Sequence, residues 1–161
     1  MPIDDGHFRL ALSHFASGVT VVTTAHEGQL YGMTVASFAS LSLHPPLVLV
    51  CIERSVKTHD AIAAAGRYGV SILSSTQADV SARFASRRDD KFDGVELIEG
   101  ALDVPLSVPL IKGAITAIEC RLYDRLPGGD HTIFIGEVMN IHTTEGDPLL
   151  YFRSGYREMR S

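Results

Sequence analysis

The stretch GMTVASFASLSLHPPLVLVCI, from Gly32 to Ile52, decides the fold class of this chain. Its second half, LVLVCI, is a continuous run of apolar residues, which is typical of a strand that is buried on both faces. Pro45 and Pro46 precede that run and forbid regular helix and ladder pairing, so the strand begins after them. The first half is extended too, yet it carries small hydroxyls where a core would have larger apolar side chains. These hydroxyls indicate either a polar ligand against the segment or the outer face of a half-solvated strand, and they belong to Thr34, Ser37, Ser40 and Ser42.

The composition is that of a single globular domain that covers residues 1–161. Of the 161 residues, 45% are hydrophobic and 20% are charged, a balance that excludes a disordered or fibrous chain. The formal net charge is -5, and the basic residues are scattered except for the pair Arg87 and Arg88. Nucleic acids and anionic membrane surfaces select dense basic patches, so we expect neither as a main partner.

The N-terminus and the cysteines predict a reduced, cytoplasmic protein. No signal-peptide pattern follows the first residues, and no apolar run reaches the roughly 18 residues that span a bilayer. Cys51 and Cys120 lie inside strand-like runs without metal-ligand spacing, so we expect both to be reduced thiols. None of the seven histidines forms a metal-binding spacing, which predicts a protein without a metal site.

The segments on the N-terminal side of the central stretch predict one helix and one hairpin. The helix begins after Asp4 or Asp5 and ends at Gly18, and one of its faces is apolar. That face consists of Phe8, Leu12 and Phe15. The β-branched run VTVVTTA and the turn HEGQ then form a hairpin with the central stretch.

The segments on the C-terminal side predict two short helices and several long strands. SVKTHDAIAAAG is a helix that Thr58 caps and Gly66 ends, and STQADVSARFAS is a helix that begins at Ser75 or Thr76. The charged loop RRDDKFDG has no core pattern. The last third reads as long strands joined by the turns PGGD and EGD. The fold class is therefore mostly β, a small barrel with flanking short α-helices.

Polar residues near the ends of these elements could converge on one ligand. The chain has no G-x-G-x-x-G, G-x-x-x-x-G-K-[ST] or G-x-S-x-G motif, so Rossmann binding, Walker phosphate loops and serine hydrolysis have no support. Hydroxyl donors and cations are instead spread over several segments, at Thr34, Ser37, Ser55, Thr58, Arg83 and Lys91. Groups of this kind suit a phosphorylated aromatic cofactor.

The chain resembles the short-chain NAD(P)H:flavin oxidoreductases, the flavin reductase components of two-component monooxygenases, which share the FMN-binding split barrel of Greek-key type. The resemblance spans nearly the whole chain. Its motifs are FASGVTVVTT, GMTVASFASLSLHPPLVLVCI, SVKTHDAI, GVSIL, ARFAS, DKFDG, GDHTIFIGEV and LLYFRSGYR. It implies hydride transfer from NADH or NADPH to FMN or FAD, release of the reduced flavin to a separate oxygenase component, and a homodimer.

The resemblance also implies the residues of the site. The flavin ring would lie against the backbone and small side chains of Met33, Thr34, Val35, Ala36, Ser37 and Phe38. The flavin tail and phosphate would lie near Cys51, Glu53, Ser55, Thr58, Arg83, Phe84, Ala85 and Lys91. Tyr156 would close over the ring region. His131 would stand beside the nicotinamide in a positioning role, because hydride transfer between two cofactors chiefly needs stacked rings.

Three other functions remain open at this point. A pyridoxamine-phosphate-oxidase-like split-barrel oxidase needs basic residues for a substrate phosphate, and the C-terminus offers only Arg153, Arg157 and Arg160. A non-catalytic FMN-binding electron carrier would lack a nicotinamide site, and a β-barrel interaction module would bind no flavin. The sequence also leaves open which nicotinamide and which flavin are used, whether flavin stays bound or exchanges, and which oxygenase is the partner.

Overall fold

The fold is built on a seven-stranded antiparallel sheet in a computed structural model that describes residues 2–98 and 107–160. The strands are β1 (Ser17–Gly18), β2 (Thr20–His26), β3 (Gln29–Val35), β4 (Phe38–Ser42), β5 (Leu47–Glu53), β6 (Arg67–Ile72), β7 (Thr116–Gly128), β8 (His131–Thr143), β9 (Leu150–Phe152) and β10 (Gly155–Arg157). The helices in the described ranges are α1 (Asp5–Leu12), α2 (Lys57–Ala65) and α3 (Ala78–Ala85). Strands β1, β9 and β10 form a small separate sheet. The predicted fold class, mostly β with short flanking helices, is confirmed.

The seven-stranded sheet closes into a barrel that is split between β3 and β4. Its strand order is β3-β2-β6-β7-β8-β5-β4, so β3 and β4 are its two edges. Only Ala36 and Ser37 separate these strands in the chain. Two residues cannot span an open sheet whose neighbouring strands lie about 4.8 Å apart, so the sheet must curl until its edges approach each other. The predicted split barrel is confirmed.

The main hydrophobic core fills the interior of this barrel. Alternate residues of each strand point inward, and Val22, Val50 and Phe134 are completely buried there. Strand β5 was predicted to be buried on both faces. Its residues Leu49 and Cys51 are only half-buried, so the outer face of this strand is partly open to solvent.

A second core lies between the outside of the barrel and α3. Phe84 of this helix is completely buried and belongs to one cluster with Val21 of β2. Phe92 packs against the same cluster, and its ring meets that of Phe84 edge-on, with centroids 5.0 Å apart. The charged loop RRDDKFDG thus contacts the core through Phe92, a single partly buried aromatic residue that no periodic pattern marks.

Helix α1 ends earlier than the sequence predicted. Asp4 caps it as expected, and its carboxylate accepts a hydrogen bond from the His7 N–H at 2.9 Å. The helix stops at Leu12 because the Ser13 hydroxyl donates to the Leu10 carbonyl at 2.6 Å, a local bond that competes with a further helical turn. The predicted stop, Gly18, lies in β1 instead. The apolar residues of the predicted helix face are exposed, by 57% at Phe8, 54% at Leu12 and 79% at Phe15.

The starts of α2 and α3 also differ from the predicted ones. Helix α2 ends at Gly66 as expected, in the left-handed conformation that favours glycine, but Val56 is its N-cap and Thr58 lies buried inside it. Helix α3 begins at Ala78, because Ser74 and Gln77 form a turn whose N–H to carbonyl distance is 3.0 Å. Among the described residues, no helix has both the length and the apolar character needed to cross a membrane.

Candidate functional site

The free edge of β3 leaves backbone groups open beside the split. The Gly32 carbonyl accepts from Lys91 Nζ at 3.2 Å, so it points away from β2, whereas the Val35 carbonyl accepts from the Thr20 hydroxyl of β2 at 2.6 Å. Because the backbone groups of successive residues in an antiparallel strand point to opposite sides, those of Thr34 also face away from β2. The edge at Thr34 is thus available to a ligand that can pair with backbone donors and acceptors.

A tight turn connects this edge to β4. The Phe38 N–H donates to the Ala36 carbonyl at 3.0 Å, which makes a γ-turn centred on Ser37. Ser37 is fixed to β5 at both ends, since its carbonyl accepts from the Cys51 N–H at 3.1 Å and its hydroxyl donates to the Cys51 carbonyl at 3.0 Å. Ala36 and Ser37 are exposed. The turn therefore presents small residues and a fixed backbone to solvent.

Helix α3 supports β3 from behind. The Thr34 hydroxyl donates to the Ser81 carbonyl at 2.6 Å, and the Ser81 hydroxyl accepts from the Tyr156 hydroxyl at 2.8 Å. A Cβ at Gly32 would lie 2.8 Å from Phe84 Cε1 and 3.1 Å from Phe92 Cζ, so glycine allows the aromatic rings to touch this strand. Ser81 was missed by the sequence analysis. It lies three residues before Phe84, on the same buried face of the helix, and that spacing could have indicated it.

The loop after α3 brings two of the predicted cations together. Lys91 is half-buried, and its ammonium donates to the carbonyls of Gly32 at 3.2 Å and Phe84 at 3.1 Å. Burial lowers the pKa of Lys91. Arg83 Nε donates to the Lys91 carbonyl at 2.8 Å. The two cations therefore hold the loop against α3 and β3, whatever else they bind.

A cavity of about 650 Å³ lies between this loop, the first half of β3 and the start of α2. Thr58 and Lys91 both line it, together with the rings of Tyr31 and Phe92. Arg83 does not line this cavity, but a second one of about 580 Å³ that also borders the loop. The structure thus places Thr58 and Lys91 at one cavity, and Arg83 at another.

The predicted nicotinamide residue lies at the start of β8. His131 pairs across the ladder with Glu53, and its Nδ1 lies 2.7 Å from Asp130 Oδ1. The hydrogen bond with His131 lowers the pKa of Asp130 below its usual range. Ser55 donates to Glu53 Oε1 at 2.7 Å, so Ser55 and Glu53 lie with His131. The sequence instead predicted that both residues lie near the flavin tail and phosphate.

Several predicted site residues turn their side chains into the protein. Phe84 and Val35 are buried, so a surface ligand cannot reach their side chains, and the half-buried side chain of Met33 packs against the barrel core. The side chain of Tyr156 stays exposed instead, although its hydroxyl donates to the Ser81 hydroxyl and its ring centroid is 5.7 Å from that of Tyr151. No group of three or more metal-binding side chains occurs in the described ranges.

Three comparisons with known proteins agree in what they match. A family model described as a flavin reductase-like domain matches residues 12–160. The chain is 39% identical over 155 residues to the reductase component of a 4-nitrophenol 4-monooxygenase/4-nitrocatechol 2-monooxygenase from Rhodococcus opacus, over 96% of this chain and 81% of that one. Flavin reductase PheA2 in its native state matches with a TM-score of 0.90 and 41% identity, over 99% of this chain and 100% of that one. NADH:FAD oxidoreductase SgcE6 of Streptomyces globisporus, in complex with NAD and FAD fragments, matches with a TM-score of 0.91 and 35% identity, over 98% and 93%.

Proposed function

The chain belongs to the family of flavin reductase-like domains, and on that premise we propose how its barrel binds flavin and nicotinamide. It is an NAD(P)H:flavin oxidoreductase, which transfers a hydride from reduced nicotinamide to FMN or FAD and supplies reduced flavin to a monooxygenase component. NADH is the proposed donor, since SgcE6 is an NADH:FAD oxidoreductase. All of the site residues are proposed to lie in one domain of residues 1–161.

The flavin ring is proposed to lie against the open edge from Met33 to Phe38. The openness of this edge is the observation that carries the assignment. A flavin ring has apolar faces and one hydrogen-bonding edge, so it needs small side chains beside free backbone donors. Ala36 and Ser37 are exposed and small, and the backbone of Thr34 faces away from β2. A flavin bound here would supply the hydride acceptor, and the fixed backbone N–H groups of this edge would stabilise the negative charge of its reduced form.

The flavin tail is proposed to lie in the cavity beside Thr58 and Lys91. The ammonium of Lys91 carries a positive charge at its wall, and the Thr58 side chain adds a hydroxyl. Cations and hydroxyls of this kind bind phosphate by charge-assisted hydrogen bonds. Arg83 is proposed to act through the Lys91 carbonyl that it holds. The backbone at Cys51, Glu53 and Ala85 remains a predicted contact of the flavin tail.

His131 is the proposed nicotinamide-positioning residue. Its side chain is 42% exposed, so its ring can contact a ligand that approaches the start of β8. The Asp130 carboxylate holds its Nδ1, and Glu53 pairs with it across the ladder between β5 and β8. Its task is to orient the nicotinamide, because the hydride passes directly between the two cofactor rings. Tyr156 supports the flavin wall from behind through Ser81.

The working unit is proposed to be a homodimer. Large apolar side chains are exposed on α1 and on the segments that flank it, whereas monomers rarely expose contiguous apolar patches of more than a few hundred Å². The exposed side chains are those of Ile3, Phe8, Leu10, Leu12 and Phe15. A second copy of this chain would cover such a surface by twofold symmetry.

Absorbance of reduced nicotinamide tests the proposed function directly. Purified protein is mixed with NADH or NADPH and with FMN, FAD or no flavin, and loss of the nicotinamide band is followed. We expect turnover that requires added or bound flavin and is faster with NADH. A protein that flavin stabilises against heat but that oxidises neither nicotinamide would instead be a flavin-binding carrier. Without turnover and without thermal stabilisation by flavin, the proposed site would be wrong.

A further inference from the structure

A hydrogen bond joins the start of α2 to the start of β8, directly beside His131. His59 Nε2 lies 2.8 Å from the Thr132 hydroxyl, and His59 Nδ1 lies 2.9 Å from Asp60 Oδ1. An ionised carboxylate only accepts, so the Asp60 carboxylate favours the tautomer of His59 that carries its proton on Nδ1. In that tautomer Nε2 accepts from the Thr132 hydroxyl.

Both partners of this bond are shielded from water. The His59 side chain is 15% exposed, and Thr132 is 8% exposed. The imidazole also packs against the Phe134 ring, with centroids 5.2 Å apart. A hydrogen bond in such surroundings is costly to break, because a buried donor or acceptor that loses its partner pays its full desolvation penalty.

The elements at the two ends of the bond differ in how deeply they are buried. On the α2 side, Ile62 is buried in the barrel core, and Ala61 beside it is buried too. On the β8 side, the tip of the β7–β8 hairpin is exposed from residue 123 to residue 130. Beyond the strand ladders, a bond from the Arg54 N–H to the Asp130 carbonyl at 3.0 Å also reaches this tip. His59 thus ties the start of β8, next to the exposed hairpin tip, to a helix that is anchored in the core.

We propose that His59 is a positioning residue for the nicotinamide, which acts through Thr132 on His131. Neighbouring side chains of a strand point to opposite faces, so an inward Thr132 turns His131 outward. The bond from Thr132 to His59 keeps Thr132 inward, and it thereby fixes the direction in which His131 faces its ligand. This inference rests on the proposed function for the nicotinamide role of His131, but the bond itself is a property of the fold.

Steady-state kinetics with NADH varied at saturating FMN test this role. Loss of one hydrogen bond corresponds to about a three- to tenfold change, so we expect Thr132→Val and His59→Phe each to raise KM for NADH by about that factor, with kcat within about twofold. Thr132→Ser keeps the hydroxyl and should behave like the wild type. The double variant should be no worse than either single variant, since both remove the same bond. Thr143→Val, at the far exposed end of β8, is the matched control.

Amide hydrogen exchange of residues 126–131 gives a readout that does not need catalysis. Both single variants should exchange faster at this tip, while Thr132→Ser and Thr143→Val should not. Unchanged exchange in Thr132→Val and His59→Phe would show that the hydrogen bond between His59 and Thr132 does not hold the hairpin tip. The proposed role of the bond would be overturned if the effects of the two single changes on KM multiplied in the double variant. It would also be overturned if Thr132→Ser were as impaired as Thr132→Val. A wild-type protein that oxidises neither nicotinamide overturns the proposed function. The exchange result would still show whether the hydrogen bond between His59 and Thr132 holds the hairpin tip.

Discussion

Replacing Gly32 by alanine tests whether the packing behind β3 holds the proposed flavin wall. The new Cβ would lie 2.8 Å and 3.0 Å from Phe84 Cε1 and Cδ1, and 3.1 Å from Phe92 Cζ. Phe84 is fully buried and cannot move away freely. Overpacking of this kind costs about 1–3 kcal/mol, and alanine recovers about 0.5–1 kcal/mol by its better fit to a strand. The midpoints of these two ranges give a net loss of stability of about 1 kcal/mol.

Thermal unfolding measures this loss, and flavin binding measures its consequence. For a chain of this length, each kcal/mol corresponds to about 2–4 °C, so we expect Gly32→Ala to unfold roughly 2–4 °C below the wild type and to bind FMN more weakly. Gly18→Ala is the matched control, because a Cβ there meets nothing within 4 Å. Phe92→Leu in the Gly32→Ala background should recover part of both losses. A Gly32→Ala protein with wild-type stability and FMN affinity would refute the argument that these rings fix the wall.

Four further changes test other parts of the structure. Lys91→Met should weaken FMN binding about 10- to 100-fold, the effect of a lost charged hydrogen bond, but riboflavin binding far less; equal losses in fluorescence titrations would place Lys91 at the ring or in the fold. His131→Ala should raise KM for the nicotinamide with little change in flavin affinity, and a loss of flavin affinity alone would contradict its assignment. Burial raises the pKa of the Cys120 thiol to about 12, so a disulfide reagent at pH 8 should modify half-buried Cys51 first and Cys120 only on unfolding; equally fast reaction would contradict this. If the proposed homodimer forms through the face around α1, Phe15→Asp should give a monomer in light scattering, and a dimer of unchanged stability would place the interface elsewhere.

Much of the fold could be predicted because its strands follow simple periodic rules. The alternating run before His26, the apolar run after Pro46 and the Gly-containing turns each have a local cause that the sequence displays. The helix boundaries are harder, because competing local bonds decide them. The Ser13 hydroxyl ends α1, and a turn at Ser74 delays α3. Such bonds depend on geometry that a residue pattern does not contain.

The site could be predicted in part, because resemblance names residues but does not tell which atoms face a ligand. The sequence analysis assigned hydroxyl donors at Thr34 and Ser55 to the flavin, whereas the structure joins their hydroxyls to Ser81 and Glu53. Those partners are 47 residues away in the first case and two in the second. The distant pairing of Thr34 with Ser81 depends on how the barrel closes, which no local pattern records.

The small hydroxyls of the central stretch therefore serve more than one purpose. Thr34 and Ser37 tie β3 to α3 and the turn to β5, while Ser40 lies exposed on the edge strand β4. A core residue at Thr34 or Ser37 would lose these ties and leave the split between β3 and β4 free to widen. The hydroxyls thus hold the two sheet edges in place and leave the backbone between them open. On this account, binding at the split depends on side chains that need not touch the flavin. Conservative changes such as Thr34→Val should then weaken flavin binding and thermal stability together, as seen by titration and by thermal unfolding, and a loss of binding at unchanged stability would show direct contact instead.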